Sequence, residues 1–134
     1  MDDCIFCKIA KEEIPCYKIY EDKDFLGFLD IKPINPGQSL IIPKIHYRWV
    51  DDVPNFGEYF EAAKKVGLAT KKALSPVNVC YVTLGFAVLH AHIRIIPRFE
   101  NDGHEDGLNF NLYKDIDKKQ MEEIWGKIKG GYKL

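Results

Sequence analysis

The chain has 134 residues, of which 46% are hydrophobic and 13% are aromatic. This length fits one domain, and the apolar content suffices for a core that needs no disulfide support. With 19 basic and 20 acidic residues, the formal net charge is -1, which argues against long nucleic acid or an anionic membrane as a partner. We therefore expect a single domain over residues 1–134 whose ligand, if anionic, is small.

The cysteines and the N-terminal residues bear on where the protein works. No apolar run approaches the roughly 20 residues that span a bilayer. The first residues, Met1, Asp2 and Asp3, lack the basic and apolar stretches of a secretory signal. We therefore expect a cytoplasmic protein, in which four cysteines favour metal binding or free thiols over disulfides.

The first half of the chain predicts three strands. Residues 17–20 and 25–31 flank a polar stretch that suits a hairpin turn. Residues 32–37 are rich in turn formers and should reverse the chain, so that residues 38–42 form the third strand.

The second half predicts a long helix, two strands and a C-terminal helix. Asn55 and Glu58 resemble a capping box, and apolar residues recur at helical spacing from there until Ser75 and Pro76. Residues 78–84 and 89–98 predict strands, and residues 118–129 predict a helix that Asp117 and Gln120 cap. Residues from about 99 to 117 are polar and irregular, and His104 is expected to be a solvated loop residue. The fold class is therefore α+β, with a mostly antiparallel sheet, one long helix and a C-terminal helix.

The most informative segment is the strand predicted over residues 89–98. Alternation places His90, His92 and Arg94 on one face and apolar residues on the other. A solvent-exposed polar face would explain this pattern without any function. An anion is the natural ligand for such a row, since Arg and protonated His donate to phosphate, and a neutral His can also attack phosphorus.

Cys4 and Cys7 form a second candidate site at the N-terminus. A CxxC pair can be redox-active or can consist of ordinary packed thiols. A zinc site requires four nitrogen or sulfur ligands, and His46 or His90 are available to complete the set.

These segments together resemble the histidine triad (HIT) family. Residues 90–98, with two apolar residues and Pro-Arg after the triad, resemble its signature, in which three histidines alternate with other residues. Further similar segments lie upstream, at residues 4–9, 13–15, 28–31 and 42–46. The resemblance covers roughly residues 4 to 98.

The resemblance implies a HIT-like fold and a nucleotide hydrolase or nucleotidyl transferase, usually a homodimer, with a purine nucleotide or nucleotide conjugate as partner. His92 matches the family's nucleophile, which attacks the α-phosphorus and forms a nucleotidyl-histidine. Zinc-containing members use a CxxC pair, the His of Pro-Lys-x-His and the first triad His. The corresponding ligands of a structural zinc here are Cys4, Cys7, His46 and His90.

The same resemblance implies a set of nucleotide-binding residues. Asp30 matches the ribose-hydroxyl acceptor, and an acid between two apolar residues at a strand end needs such a partner. Gly85 matches the glycine that precedes the triad. The apolar pocket around the base corresponds to Phe6, Ile9, Ile14, Phe28 and Ile31, although each of these alone would suit an ordinary core.

Two departures from the family pattern bear on activity. Arg94 replaces the third histidine; it can hold phosphate oxygens, yet it stays charged and so exchanges no proton at neutral pH. Phe86 and Ala87 stand where hydrolases commonly carry Gln and Ser. We therefore expect a slow enzyme, an enzyme with a changed leaving group, or a nucleotide-binding module with a structural zinc site and weakened catalysis. A zinc-stabilised interaction domain is a further alternative, which the retained His92 and Asp30 argue against.

Overall fold

A computed structural model describes residues 3–131 and contains one five-stranded antiparallel sheet with three helices. Its strands stand in the order β1-β2-β3-β5-β4. The strands are β1 (Lys18–Glu21), β2 (Phe25–Leu29), β3 (Ser39–Pro43), β4 (Asn78–Val82) and β5 (Ile93–Arg98), and the helices are α1 (Ile5–Ala10), α2 (Phe56–Leu74) and α3 (Lys118–Ile128). A short 3-10 turn, Val50–Asp52, precedes α2. The predicted α+β class is confirmed.

Apolar clusters cover both faces of the sheet, so the interior strands β2 and β3 are buried along their whole length. On one face, Ile41 packs with residues of α2, and the Tyr59 hydroxyl donates to the Ile41 carbonyl over 2.7 Å. On the other face, Leu40 and Ile42 pack with Phe6 of α1. The second, smaller cluster lies where residues 4–16 cross the sheet.

The ends of the predicted elements are mostly displaced by one or two residues. The capping box at Asp117 and Gln120 is confirmed. The one at Asn55 is wrong, because the Asn55 amide donates to the carboxylates of Asp24 and Glu58 and makes no cap bond.

The strand predicted over residues 89–98 is too long, because β5 begins only at Ile93. The preceding residues belong to a loop, in which Ala91 N–H donates to the Tyr47 carbonyl outside the sheet. His90 and His92 therefore lie before the strand, and only Arg94 lies on it.

Helix α1 was not predicted from the sequence. It has six residues and its apolar positions are too few to show a helical period. Its start is capped by the Cys4 sulfur, which accepts from the Cys7 N–H at 3.3 Å.

The irregular segment 99–117 is held in place by a buried polar network. The Asp102 carboxylate accepts hydrogen bonds from the Asn35 amide, the Arg98 guanidinium and backbone N–H groups of Phe99 and His104. The ion pair with Arg98 holds the pKa of Asp102 well below its usual range. Lys114 Nζ donates to the carbonyls of Ile34 and Asp102 and to the side-chain oxygen of Asn35. These contacts fasten residues 102–114 to the turn before β3.

The expectation that His104 is solvated is wrong. It is buried; Nε2 donates to the Ile34 carbonyl, and Nδ1 accepts from Asn109 N–H. Sequence neighbours alone suggested a loop tip, whereas the turn at Ile34 covers the ring.

Within residues 3–131, no helix combines the length and apolarity that crossing a membrane requires. Met1 and Asp2, which entered the expectation of a cytoplasmic protein, lie outside the described residues.

Candidate functional site

Four side chains from three separate regions form a Cys/His cluster. The Sγ atoms of Cys4 and Cys7 and one ring nitrogen each of His46 and His90 all lie within 4.8 Å of one another. His90 Nδ1 lies 3.3 Å from Cys4 Sγ and 3.5 Å from Cys7 Sγ, and His46 Nδ1 lies 3.3 Å from Cys7 Sγ. Such separations are close to the edges of a tetrahedron around a metal with ligand distances of about 2.0–2.3 Å. The cluster can therefore hold a metal ion.

Local structure orients each donor of the cluster. One turn of α1 brings Cys4 and Cys7 to the same side, while His46 follows β3 and His90 lies in the loop before β5. His90 Nε2 donates to the Pro43 carbonyl at 2.8 Å, which leaves the Nδ1 lone pair for the thiols. This is the arrangement in which a backbone carbonyl fixes the tautomer of a ligating histidine.

Burial favours the neutral forms in this cluster. It lowers the pKa of His90 to about 4, so the ring is neutral and its lone pair is available. Burial, followed by the neighbouring Cys4 thiol, raises the pKa of Cys7 to about 11. A bound dication opposes that rise, because thiolate is the form that ligates a metal.

A cavity of about 750 Å³ opens next to the cluster. It lies on the sheet face that carries α1, between that helix, the end of β2, the loop between β4 and β5, and residues 110–113. The structure brings all the residues predicted to bind nucleotide, and both predicted catalytic residues, to its walls: Phe6, Ile9, Ile14, Phe28, Asp30, Ile31, Gly85, His92 and Arg94. Phe6 and Phe28 form its buried side, whereas Ile31 is 71% exposed at its rim.

His92 is the buried imidazole of this cavity, with 2% of its surface exposed. Its Nδ1 donates to the His90 carbonyl at 2.8 Å, and the Phe6 ring packs edge-on at a centroid distance of 5.2 Å. No group among residues 3–131 forms a hydrogen bond with Nε2, which therefore retains its lone pair. Burial lowers the pKa of His92, and the positive charge of Arg94 adds to that effect. The ring is therefore neutral near pH 7.

Asp30 has protein donors that the sequence did not indicate. Its Oδ1 accepts from Lys32 N–H and its Oδ2 from the Gln38 amide, both at 2.9 Å. The partner that this carboxylate was expected to need is therefore already supplied in part by the protein. Each carboxylate oxygen accepts two hydrogen bonds, so both keep capacity for a ligand hydroxyl. The two contacts hold the group in place at the cavity wall.

The Arg94 guanidinium has no counterion among the residues that the structure describes. Its Nε is buried without a hydrogen-bond partner. Its guanidinium lies over the Phe110 ring, 5.4 Å from the centroid, and it forms no ion pair within residues 3–131. A buried donor left unpaired is costly, so the side chain is set up to receive an acceptor.

The loop between β4 and β5 is braced from outside the cavity. Gly85 has a φ of +76°, and a Cβ at this position would lie 3.4 Å from the Trp49 ring. Arg48 donates to the Gly85 carbonyl at 2.8 Å and stacks on Trp49, with 3.5 Å from its Cζ to the ring centroid. Phe86 contacts Trp49 edge-on, yet 77% of its surface is exposed. The loop conformation therefore depends on the pair Arg48 and Trp49.

Sequence reasoning missed several residues of the site. Arg48 and Trp49 hold the loop between β4 and β5, and Gln38 orients Asp30. The only sequence signal for Gln38 was its polar side chain at the start of the predicted strand 38–42. Residues 110–113 form the cavity wall nearest Arg94, through Phe110, Asn111 and Tyr113. Aromatic residues in an otherwise polar segment were the only signal for that wall.

Comparison with known proteins identifies the family. The HIT domain model matches residues 11–101, which is more than half of the chain. The chain belongs to the HIT family. Its relatives include the adenosine 5'-monophosphoramidase HNT1 of Saccharomyces cerevisiae, which is 40% identical over 135 residues that cover 95% of this chain and 84% of that protein.

Two further similar proteins bear on the chemistry and on the metal. The adenylylsulfatase HINT3 of Arabidopsis thaliana is 38% identical over 109 residues, which cover 75% of this chain and 55% of that protein. A crystal structure of a zinc-bound histidine triad family protein from Mycobacterium smegmatis superposes with a TM-score of 0.76 at 27% identity. That match covers 95% of this chain and 94% of the other, which agrees with the HIT fold.

Proposed function

We propose that this HIT protein is a nucleotide hydrolase or nucleotidyl transferase that acts at the α-phosphate of a purine nucleotide conjugate. One observation carries the proposal. His92 donates from Nδ1 to the His90 carbonyl, which leaves a neutral ring with its Nε2 lone pair free in a cavity that also contains Arg94.

The chemistry follows from these groups. The Nε2 lone pair of His92 attacks the α-phosphorus, the bond to the leaving group breaks, and a nucleotidyl-histidine forms. Water or a second acceptor then cleaves the phosphorus–nitrogen bond and restores neutral His92. Arg94 and the loop around Gly85 hold the phosphate oxygens, while the Asp30 carboxylate accepts from the ribose. The apolar wall formed by Phe6, Ile9, Ile14, Phe28 and Ile31 takes the base.

We further propose that the Cys/His cluster binds zinc. Two thiolates and two imidazoles are a donor set that zinc prefers, and four protein ligands close the coordination sphere. Held by these four residues, a zinc ion would tie α1 to the end of β3 and to the loop before β5, so its role would be structural rather than the activation of water.

We also propose that each chain is a single domain and that two chains form a homodimer. Strand β4 is an edge of the sheet, and Tyr81 on it and Leu68 on α2 are exposed. An exposed apolar edge of this kind favours pairing with a second copy. A reducing compartment such as the cytoplasm suits the four free cysteines.

The test is a search for the covalent intermediate. The purified protein is mixed with an AMP phosphoramidate or AMP anhydride, quenched in mild base that preserves phosphohistidine, and examined by intact mass. We expect an AMP adduct that is absent in His92→Ala, with equal zinc content in both proteins. An adduct that persists in His92→Ala would contradict the assigned nucleophile.

The second candidate function is nucleotide binding without turnover. Phe86 and Ala87 provide no side-chain hydrogen bond to a phosphate, and losing one such donor can lower a rate by about 10²–10³. AMP that raises the melting temperature, with neither adduct nor released AMP from any conjugate, would favour this candidate.

A further inference from the structure

The residues at the end of the cavity that faces Arg94 determine which leaving group the site favours. We propose that this enzyme cleaves conjugates in which the nucleotide is joined to an acid, so that phosphate, sulfate or carboxylate leaves as an anion, in preference to conjugates with an amine. This inference rests on the proposed function and specifies its substrate class.

The two kinds of leaving group place different demands on the site. An amine cannot depart from phosphorus as an amide anion, so a proton must be delivered to its nitrogen as the bond breaks. A phosphate, sulfate or carboxylate departs with the bonding electron pair and requires no proton. Its developing negative charge requires stabilisation by a donor or a cation instead.

The residues around His92 meet the second demand. Arg94 is permanently protonated, so it cannot deliver a proton, but it carries donors suited to an oxyanion. Its guanidinium rests on Phe110, its Nε has no partner, and it forms no ion pair with a carboxylate in residues 3–131. Arg94 thus places a positive charge at the cavity wall, with a buried Nε that a ligand oxygen can pair.

The side chains that could deliver a proton stand elsewhere on the cavity wall. Its titratable groups besides His92 and Arg94 are Cys16, Asp30, Lys32 and Tyr113. Asp30 accepts hydrogen bonds from Lys32 N–H and from the Gln38 amide, on the side that we assign to the ribose. Cys16 packs against the apolar cluster around Phe6 that we assign to the base. Lys32 is exposed and donates its backbone N–H to Asp30, on the ribose side. Tyr113 alone belongs to the wall that carries Phe110, and it is 62% exposed at the rim.

The loop between β4 and β5 also favours an anionic leaving group. At Phe86 and Ala87 it offers no hydroxyl or amide to relay a proton to an amine. Phe86 is exposed at the cavity mouth, where it can cover a bulky leaving group without bonding to it.

The reaction balances without any further reactant. The Nε2 lone pair of His92 forms a bond to the α-phosphorus, and the phosphorus–oxygen bond to the acid breaks with its electron pair on the departing oxygen. Arg94 stabilises that oxygen. Water then attacks phosphorus, the phosphorus–nitrogen bond electrons return to Nε2, and one proton passes to solvent. The products are the nucleoside monophosphate and the free acid anion.

The test compares variants on one pair of substrates with the same nucleotide. The acid conjugate is adenosine 5'-phosphosulfate and the amine conjugate is adenosine 5'-phosphoramidate; kcat/KM is measured for each. Because acid conjugates are intrinsically more reactive, the decisive quantity is the change that each variant causes on each substrate.

We expect Arg94→Gln to lower kcat/KM for the sulfate conjugate by about 10²–10³, as the loss of an oxyanion donor does elsewhere, and to lower it by a smaller factor for the amine conjugate. An equal loss on both substrates would mean that Arg94 holds only the α-phosphate that they share, and would overturn the leaving-group assignment. Arg94→His, which restores a group that exchanges protons, should raise kcat/KM for the amine conjugate at least tenfold and lower it for the sulfate conjugate.

Tyr113→Phe asks whether the hydroxyl of this cavity-lining residue delivers the proton to the amine. Lys65→Gln, on the exposed face of α2 and outside the cavity, is the control and should change neither kcat/KM by more than about twofold. Zinc content and melting temperature show whether each variant is folded. Arg94→Gln tests the loss of the cation, and Arg94→His tests the gain of a proton donor.

The outcomes separate this inference from the proposed function. If wild type cleaves the amine conjugate and Arg94→Gln leaves the sulfate conjugate unaffected, the leaving-group assignment is wrong although the enzyme is real. Loss of amine cleavage in Tyr113→Phe also overturns it, because Tyr113 is then the acid. If wild type cleaves neither substrate and forms no adduct, the proposed function itself fails.

Discussion

The Cys/His cluster and the cavity beside it take one histidine each from the loop before β5, and the two rings are arranged in opposite ways. His90 donates from Nε2 to the Pro43 carbonyl and directs Nδ1 to the thiols. His92 donates from Nδ1 to the His90 carbonyl and keeps Nε2 for the cavity. Two neutral, buried imidazoles therefore differ in task because different carbonyls select their tautomers. The difference shows that backbone geometry, rather than residue type, separates the proposed metal ligand from the proposed nucleophile.

The absence of regular strand structure at these residues makes this division possible. In a strand, residues 90 and 92 would share a face, as the alternation predicted. Because β5 begins only at Ile93, His90 reaches the cluster and His92 reaches the cavity.

The largest effect is expected for His92→Ala, which tests whether the cavity histidine alone carries the chemistry. Turnover of AMP conjugates should fall by about 10⁴ or more, since removing a nucleophile eliminates the covalent route. Metal content, measured by atomic emission, should be unchanged. A variant that loses activity and metal together would contradict the division of tasks between His90 and His92.

Removal of a cluster ligand should mainly affect stability. We expect Cys7→Ala to lower the free energy of unfolding by at least about 3 kcal/mol, because loss of a structural metal is among the few large single-site effects. Urea unfolding with and without a zinc chelator measures it. The matched control is Cys80→Ala on β4, where the chelator should still destabilise the protein as it does wild type.

A pH-dependent effect is expected from the network that fastens the cavity wall. The ion pair with Arg98 holds the folded pKa of Asp102 below its unfolded value, so its contribution is complete above the unfolded pKa of about 4 and is lost as pH falls further. Asp102→Asn should therefore be less stable than wild type at pH 7, by about 2 kcal/mol for bonds to a charged group.

Unfolding measured at successive pH values from 7 to 3 tests this prediction. The gap between wild type and Asp102→Asn should narrow below about pH 4. Metal loss at low pH affects both proteins alike, so the difference isolates Asp102. A gap that is independent of pH would mean that the carboxylate charge contributes nothing.

The smallest effect is expected at the cavity rim. Gly85→Ala introduces a Cβ at a φ of +76° beside the Trp49 ring, which should cost about 1–2 kcal/mol. We expect a higher KM with little change in metal content. Gly107→Ala, where a Cβ meets nothing within 4 Å, is the control for glycine replacement as such.

Much of the fold was predictable because its pattern is local. Strands β2 and β3 follow from apolar runs between turn-forming stretches, and α2 follows from apolar residues at helical spacing. The cap at Asp117 follows from two polar residues three positions apart. The family signature likewise predicted the walls of the cavity. What the sequence did not predict depends on distant contacts: α1 is too short to show a period, and the burial of His104 depends on a carbonyl 70 positions earlier. The wall at Phe110 depends in the same way on Lys114 and Asp102, which hold an irregular segment against the turn before β3.

The contact of Arg48 and Trp49 with the loop at Gly85 has a consequence for tryptophan fluorescence. The chain has two tryptophans. Trp49 stacks with Arg48, which also binds the loop at Gly85, whereas Trp125 on α3 donates its indole N–H to the Lys18 carbonyl at the opposite edge of the sheet. A ligand that displaces the loop changes the surroundings of Trp49, whereas those of Trp125 stay constant and add only a fixed background signal, which Trp125→Phe removes. Fluorescence of Trp125→Phe should therefore follow nucleotide entry in real time, without a label and without turnover.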